Sequence, residues 1–332
     1  MYLHGMRITV LAGGIGGAKF LRGVRAWARS AGTAQGAEIT AIVNTGDDIT
    51  LHGLRITPDL DSVMYALAGA NDTERGWGRA GESWRIQGEL AKYGAEPGWF
   101  NLGDLDIATH LVRTRMLDAG YPLSDVVAAL CTRWLDPAVV GGPPVRLLPM
   151  TDERCETHVL VELDGVKKAI HFQQWWIQHR AQVPAQAFVQ VGLDAATPAP
   201  GVLAAIAEAD VVLLAPSNPV VSIGTILAVP GIRQALAEAQ APVVGLSPII
   251  GGGPVRGMAD SCLPVIGVPV SAAGVGQHYG ARGTGGLLDG WLVHSSDSAE
   301  IAGVRVRAVP LYMTDDAATA AMVQAAMEVA GV

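Results

Sequence analysis

The sequence has few cysteines, few charges and no long apolar run, and each shortage excludes a class of protein. Its three cysteines, Cys131, Cys155 and Cys262, show no CxxC or Cys/His spacing, so neither a disulfide framework nor a zinc site is expected. No apolar run reaches the roughly 18 to 20 residues of a membrane span, and residues 1–7 lack a signal-peptide pattern. We therefore expect a cytoplasmic protein that does not contact a membrane.

The charge balance also argues against nucleic acid as a partner. Only 16% of the residues are charged, and the net charge is -8. Sequence-independent nucleic-acid binding depends on Lys and Arg contacts to phosphate. Half of the residues are hydrophobic and 41 are glycine, which is typical of a compact, loop-rich globular protein. Small-molecule chemistry is therefore favoured.

The first segment that indicates a binding function is a predicted strand, followed by a glycine-rich turn and a helix. Arg7 to Ala12 predicts a strand, and residues 18–27 have helical spacing. Between them, glycines would let the backbone approach a phosphate, and the helix N-terminus would favour an anion. The predicted phosphate-binding residues are Gly13, Gly14, Gly16, Gly17 and Lys19. The alternative is a tight turn that only packs the strand against the helix.

Two standard nucleotide motifs do not fit this segment. The dinucleotide pattern G-x-G-x-x-G has Lys19 at its third glycine, and Asn44 stands where a ribose-binding acid is expected. The phosphate loop G-x-x-x-x-G-K-[ST] fails because Ala18 precedes the lysine and Phe20 follows it. A plain NAD-linked oxidoreductase is therefore disfavoured.

Four carboxylates follow the next apolar segment, residues 39–43. They are Asp47, Asp48, Asp59 and Asp61. Buried like charges raise one another's pKa, so this cluster predicts a balancing cation, most naturally a hard divalent metal with a phosphate-bearing ligand. The alternative explains Asp59 and Asp61 as acids that complement a helix dipole, and one of the other two by turn chemistry.

The rest of the chain predicts an α/β fold with an insertion. Residues 71–100 contain Trp77, Trp84 and Trp99 among Gly, Arg and Glu, which indicates a lid or, alternatively, tryptophans that anchor an irregular segment. We predict a Rossmann-like core of residues 1–60 and 185–332, with a mostly parallel sheet flanked by helices. Residues 61–184 would form a largely helical insertion, which covers the active site and contains a short hairpin that turns at Asp164-Gly165. Strand 211–215 ends at Ser217 and Asn218, where open sheets bind ligands, although a loop without function is equally compatible.

Six motifs in this order resemble the 2-phospho-L-lactate transferase family of coenzyme F-420 biosynthesis, in particular its actinobacterial members. They span Gly13 to Phe20, Val43 to Asp48, Pro58 to Asp61, Leu102 to His110, Ala215 to Pro219 and Ser247 to Gly251. The resemblance implies transfer of a phospholactyl or phosphoenolpyruvyl group from a guanosine diphosphate ester to the deazariboflavin Fo, with release of GMP. It also implies Mg²⁺ as the cofactor. The apolar C-terminal half is compatible with a homodimer.

The resemblance also assigns residue roles. It implies that Asp61 and Asn101 contact Fo, although family members often carry a basic residue at the second position. Leu105 stands where they commonly carry Arg, which removes one candidate phosphate contact. We assign Mg²⁺ to Asp47, Asp48 and Asp59, catalysis to Asp61 and Asp48, and the guanosine diphosphate portion to residues 13–19 with Ser217 and Asn218. Asp61 would orient or deprotonate the attacking hydroxyl. The alternative function is a regulatory protein that binds a nucleotide without turnover.

Overall fold

The chain is described by a computed structural model that covers residues 5–30 and 36–332. The interpretation of residues 1–7 as lacking a leader concerns in part residues 1–4, which lie outside the described residues. The strands are β1 (Arg7–Ala12), β2 (Glu38–Val43), β3 (Ile49–Leu51), β4 (Leu54–Ile56), β5 (Val145–Pro149), β6 (Glu156–Leu163), β7 (Val166–His171), β8 (Ala187–Val191), β9 (Val211–Leu214), β10 (Val243–Leu246), β11 (Ile249–Ile250), β12 (Gly253–Pro254), β13 (Gly290–His294) and β14 (Arg305–Val309). The helices are α1 (Gly14–Ser30), α2 (Pro58–Leu67), α3 (Arg85–Lys92), α4 (Asp104–Asp118), α5 (Leu123–Trp134), α6 (Pro137–Val140), α7 (Val202–Ala207), α8 (Ile223–Ala228), α9 (Ile232–Glu238), α10 (Ala259–Cys262), α11 (Ala272–Tyr279) and α12 (Asp316–Ala330).

The central element is a seven-stranded sheet of order β14-β13-β10-β9-β1-β2-β5. Every pairing in it is parallel. The chain runs outward from β1 to β5 on one side and returns to β9 on the other, so the strand order reverses between β1 and β9. Open α/β sheets bind ligands at the carboxyl ends of strands at such a switch point. The predicted Rossmann-like fold class is confirmed.

Apolar layers cover both faces of this sheet. In β1, Val10 faces one layer and Leu11 the other, because successive strand residues point to opposite faces. The layer that Val10 faces contains α1, α2 and α12, and in it Phe20 belongs to the same apolar cluster as Met322. The second contains α7, α8, α9 and α11. Burial on both faces explains why β9 is an unbroken apolar run, Val-Val-Leu-Leu.

Two strands depart from the predicted division into core and insertion. β8, predicted as part of the core, pairs antiparallel with β6 in a separate three-stranded sheet of order β7-β6-β8. Its Val189 and Val191 are exposed, as suits a strand covered on one face only. β5 lies within the predicted insertion, yet it is an edge strand of the main sheet. The remainder of 61–184 contributes α2 to α6, consistent with a largely helical segment.

Two local predictions are resolved by backbone geometry. The Asp164-Gly165 hairpin is confirmed, since both residues have positive φ, 52° and 74°, as a type I′ turn requires. The prediction of a separate glycine-rich turn between β1 and α1 is wrong. Helix α1 already starts at Gly14, so Gly14, Gly16 and Gly17 belong to its first turn. In the part of the chain that is described, no helix has the length and apolarity needed to cross a bilayer.

The contact between α1 and α12 yields a stability prediction. Gly23 lies where a Cβ would collide with the side chain of Thr319, which is buried in α12. We expect Gly23→Ala to lower the free energy of unfolding by about 1 to 3 kcal/mol through overpacking. Urea denaturation measures this change.

Gly88→Ala is the matched control. Gly88 also lies within a helix, α3, but a Cβ there would have no heavy atom within 4 Å. The helix propensity of Ala makes this substitution neutral or stabilising by up to about 1 kcal/mol. Equal effects of the two substitutions would contradict the close packing of α1 on α12.

Candidate active site

A cavity of about 630 Å³ opens at the carboxyl ends of β1, β2, β9 and β10. Residues 13–19 and the acids after β2 form its floor, and loops 216–222 and 247–259 form one wall. A further part of the wall comes from residues 77–78, 100–110 and 172–177. Seven separate stretches of sequence therefore surround one space.

Asn44 joins two of the four predicted acids. Its Nδ2 donates to Asp47 Oδ1 at 2.6 Å and to Asp59 Oδ2 at 2.9 Å, and its Oδ1 accepts from the backbone N–H of Gly46 at 3.0 Å. Gln173 Nε2 donates to Asp47 as well, at 3.3 Å. Asn44 and Gln173 were not predicted as site residues. The position of Asn44 directly after β2 is the one sequence signal that pointed to it.

The pair Asp47 and Asp59 is electrostatically strained. Burial, then the charge of Asp59, raises the pKa of Asp47 well above its usual value. Burial raises the pKa of Asp59 to about 6, although the amide of Asn44 and the backbone N–H of Gly14 favour its charged form. A cation between these two acids would relieve the strain.

The glycines after β1 permit close packing around this pair. A Cβ at Gly13 would lie 2.8 Å from Asp59 Oδ2, and one at Gly16 would lie 2.8 Å from the carbonyl oxygen of Pro216. A Cβ at Gly17 would lie 2.9 Å from Ser217 Oγ. Gly13, Gly14 and Gly16 line the cavity, whereas Gly17 is buried behind it. Packing explains part of the glycine pattern, and an open helix N-terminus explains the rest.

Asp48 lies apart from the pair formed by Asp47 and Asp59. It is fully buried, forms an ion pair with Arg55 at 3.2 Å and does not line the cavity. Burial raises its pKa to about 8, and the charges of Arg55 and Arg113 only partly oppose this. This position argues against the predicted roles of Asp48 in metal binding and catalysis.

Asp61 has a different partner from its neighbours in sequence. Its Oδ1 forms a buried ion pair with Arg113 Nη2, and its Oδ2 lies 3.7 Å from His110 Nδ1. Arg113 Nη1 also donates to His110 Nδ1 at 3.0 Å. Burial lowers the pKa of His110 to about 4, which leaves the imidazole neutral at pH 7. Asp61 and His110 line the cavity, while Arg113 holds them from behind.

Two cations also line the cavity. Lys19 is in the first turns of α1, and Arg256 follows β12. Burial, then the charge of Arg256, lowers the pKa of Lys19, so the two groups are neighbours. Like charges held together in this way favour an anion between them. Lys19 was predicted, but nothing in the sequence marked Arg256.

Ser217 and Asn218 line the cavity, but their side chains already have partners. Ser217 Oγ accepts from the backbone N–H of Gly13 at 3.1 Å and donates to its carbonyl at 2.7 Å. Asn218 Oδ1 accepts from the backbone N–H groups of Val220 and Val221. Ser217 therefore fixes the loop against the start of α1, and Asn218 fixes the turn within the loop.

Aromatic side chains line much of the cavity. They include Tyr65, Trp77, Phe100, Phe172 and Trp176. Trp84 and Trp99, predicted with Trp77 as lid residues, do not line it. Trp84 instead packs against Trp77 with ring centroids 5.9 Å apart. Asn101 lines the cavity and accepts from Gln87 Nε2 of α3 at 2.7 Å.

The donor set fits a magnesium ion bound through two carboxylates. Across residues 5–30 and 36–332, no three His, Cys, Asp or Glu side chains converge in a metal-binding arrangement. Mg²⁺ is commonly held by only one or two carboxylates, with substrate phosphates and water completing its octahedron. Asp47 and Asp59 are such a pair, and both line the cavity.

Comparisons with known proteins agree with this geometry. Residues 8–328 match the family model described as 2-phospho-L-lactate transferase CofD. The chain belongs to the CofD family. It is a transferase of coenzyme F-420 biosynthesis, as the sequence motifs predicted.

Individual relatives cover nearly the whole chain. A protein of Nocardia farcinica named phosphoenolpyruvate transferase is 58% identical over 331 residues, which cover 99% of this chain and 96% of that protein. A protein of Mycolicibacterium smegmatis with the same name is 58% identical over 332 residues, covering 98% and 99%. The crystal structure of protein BH3568 from Bacillus halodurans matches with a TM-score of 0.60 and 18% identity, covering 98% of this chain and 99% of that one. The similarity to BH3568 concerns the fold alone.

The Asp61–Arg113 pair yields a prediction for the CofD family site. Arg113→Ala would leave a buried carboxylate without its partner, so we expect the free energy of unfolding to fall by about 3 to 5 kcal/mol. Adding Asp61→Asn should recover part of this loss. Urea denaturation of both variants measures it.

Arg115→Ala is the control on the same helix. Arg115 is exposed, so its loss should change stability by less than about 0.5 kcal/mol. A similarly small effect of Arg113→Ala would show that the buried ion pair does not hold this wall of the cavity.

Proposed function

We propose that the protein transfers a phosphoenolpyruvyl group from a guanosine diphosphate ester to the deazariboflavin Fo and releases GMP. The observation that carries this proposal is a single cavity lined by an acid pair, two cations and several aromatic rings. Phosphoryl-type transfer is catalysed mainly by positioning and charge neutralisation. The cavity has side chains that can position the substrates and side chains that can neutralise charge.

The diphosphate would lie between the start of α1 and Arg256. Lys19 and Arg256 supply positive charge, and the N-terminal N–H groups of α1 supply donors. Ser217 and Asn218 contribute by shape and backbone, since their side chains are occupied. Gly13, Gly14 and Gly16 keep this floor free of side chains, which allows phosphate oxygens to reach the backbone.

Asp47 and Asp59 would hold Mg²⁺, with Asn44 fixing the orientation of both carboxylates. The ion supplies charge neutralisation for the diphosphate in the transition state. Because Asp47 and Asp59 are also close to each other, their strain in the absence of a cation makes ion binding favourable. Asp48 takes no part in this proposal.

Fo would occupy the aromatic side of the cavity. Its flat ring would pack against Trp77, Phe100 and Trp176, and Asn101 at the rim offers a polar contact. Such a lid excludes water, which would otherwise compete as the acceptor and hydrolyse the donor. Asp61 would bind the terminal ribityl hydroxyl through Oδ2, since Oδ1 is held by Arg113.

The names of the relatives support one of the two donors. Curated proteins 57% to 58% identical to this chain are named phosphoenolpyruvate transferase, and this supports the enolpyruvyl donor over the lactyl one. The test is a mass-spectrometric assay of the protein with Fo, Mg²⁺ and each donor separately. We expect GMP and the coupled product with the enolpyruvyl donor at the higher kcat/KM. Absence of product with both would refute the transferase proposal.

The same assay separates a transferase from a nucleotide-binding regulator. A regulator would bind the donor but release no GMP when Fo is added. Chelation of Mg²⁺ by EDTA should stop GMP release and be reversed by added Mg²⁺. Release that continues in EDTA would contradict the role of Asp47 and Asp59.

Arg256 provides a test of the diphosphate position. We expect Arg256→Met to lower kcat/KM for the donor by roughly tenfold to a hundredfold, the equivalent of one charge-assisted hydrogen bond of about 1.5 to 3 kcal/mol. The KM for Fo should change little. Arg233→Met is the control, because Arg233 is exposed on α9 and does not line the cavity. Equal kinetics for Arg256→Met and the wild type would refute the assignment.

A further inference from the structure

One buried acid in the cavity wall has no role in the reaction as proposed so far. Asp106 lies in the first turn of α4 and is only 8% exposed. It lines the same cavity as Asp61. Its Oδ1 is buried and has no hydrogen-bond partner among the residues that the structure describes. A buried carboxylate oxygen without a partner is costly, so it suits a group that a substrate satisfies.

Charged and titratable groups approach Asp106 from three elements. Asp61 and Tyr65 face it from α2, Arg79 and Glu82 from the lid, and His110 lies one turn further along its own helix. The Tyr65 side chain approaches Asp106 closely enough to favour the charged form of its carboxyl group. Asp106 and Tyr65 therefore form a polar patch within a largely aromatic wall.

The cations near Asp106 are engaged elsewhere. Arg79 Nη1 donates to the carbonyl of Leu105 at 2.9 Å, and its guanidinium stacks on Trp134 with 4.7 Å to the ring centroid. Glu82 Oε1 accepts from the backbone N–H of Asp106 at 2.8 Å and brings a second negative charge nearby. Asp106 thus lacks the direct ion pair that Asp61 makes.

The lid leaves space for this carboxylate. Gly78 has a φ of 68°, and a Cβ there would lie 3.2 Å from Asp106 Oδ2. Glycine thus permits the turn and also avoids crowding the acid. The carboxylate consequently faces the cavity at the junction of the lid and α4.

The two acids differ in their partners. Asp61 forms an ion pair through Oδ1 with the buried Arg113. Asp106 forms no ion pair, and its Oδ1 has no hydrogen-bond partner among the described residues. Of the two, Asp106 is better suited to receive a proton, because it is not the counter-charge of a buried arginine.

We propose that Asp106 accepts the proton of the attacking hydroxyl, while Asp61 only orients that hydroxyl. This inference rests on the proposed transfer to Fo. The hydroxyl oxygen forms a bond to the phosphorus that bears the enolpyruvyl group, and its O–H proton passes to Asp106. The bond from this phosphorus to the bridging oxygen breaks, and its electron pair leaves with GMP. Asp106 then returns the proton to solvent.

The expected pH dependence follows from the environment of Asp106. Burial, then the charge of Asp61, raises its pKa to about 7. A base must be deprotonated to act, so kcat should rise with pH through about 7. In the folded protein the raised pKa also costs stability, which falls as pH rises from the unfolded value near 4 through about 7.

The experiment compares the wild type, Asp106→Asn and Asp118→Asn in the Mg²⁺-loaded enzyme with Fo and the enolpyruvyl donor from pH 5 to 9. Asp118 is an exposed acid at the far end of α4 and serves as the control. We expect Asp106→Asn to lower kcat by roughly a hundredfold to ten-thousandfold, with the KM for Fo changed less than about threefold. The rise of kcat through pH 7 should also disappear. Asp118→Asn should behave as the wild type.

Each outcome decides the assignment. Should Asp106→Asn retain kcat within about threefold or keep the rise through pH 7, Asp106 is not the proton acceptor. A large rise in the KM for Fo with unchanged kcat would make it a binding residue only. No product from the wild type with either donor would overturn the proposed function and this inference with it. Circular dichroism checks folding, and Asp106→Ser replaces the asparagine variant if that variant does not fold.

Discussion

The site depends on one neutral amide placed between two buried acids. Asn44 donates to both Asp47 and Asp59, and without these bonds two carboxylates would face each other in a dry space. An acid at this position would add a third like charge, and an apolar residue would leave both carboxylates without their donor. The same asparagine accepts from Gly46, so it also sets the turn that carries the acids away from β2.

The four acids divide into groups with separate tasks. Asp47 and Asp59 face the cavity floor, where a cation and a diphosphate can balance them. Asp48 is held by Arg55, and Asp61 by Arg113. We proposed Mg²⁺ for Asp47 and Asp59 because they have only a neutral donor between them, whereas Asp48 and Asp61 are each paired with an arginine.

The predictions from sequence succeeded where a local pattern corresponds to a local structure. The apolar runs of β1, β2 and β9 and the Asp164-Gly165 hairpin all depend on nearby residues. β8 was misassigned because Phe188, Val189 and Val191 have the composition of a core strand, and only pairing with β6 shows the partner. The metal role of Asp48 stays a prediction, and the sequence did not show the ion pair of Asp48 with Arg55, which follows it by seven residues across the β3–β4 hairpin.

The sequence by itself determined the family, the parallel α/β fold and the region that carries the acids, because these follow from ordered motifs and from the period of apolar residues. Only the tertiary structure decided which acids share a donor, which are paired with arginine, and that Arg256 and Asp106 border the same cavity. Those relations join residues up to about two hundred positions apart, for example Gly13 and Ser217. They arise from the order of strands in the sheet, which sets neighbours in space irrespective of distance along the chain.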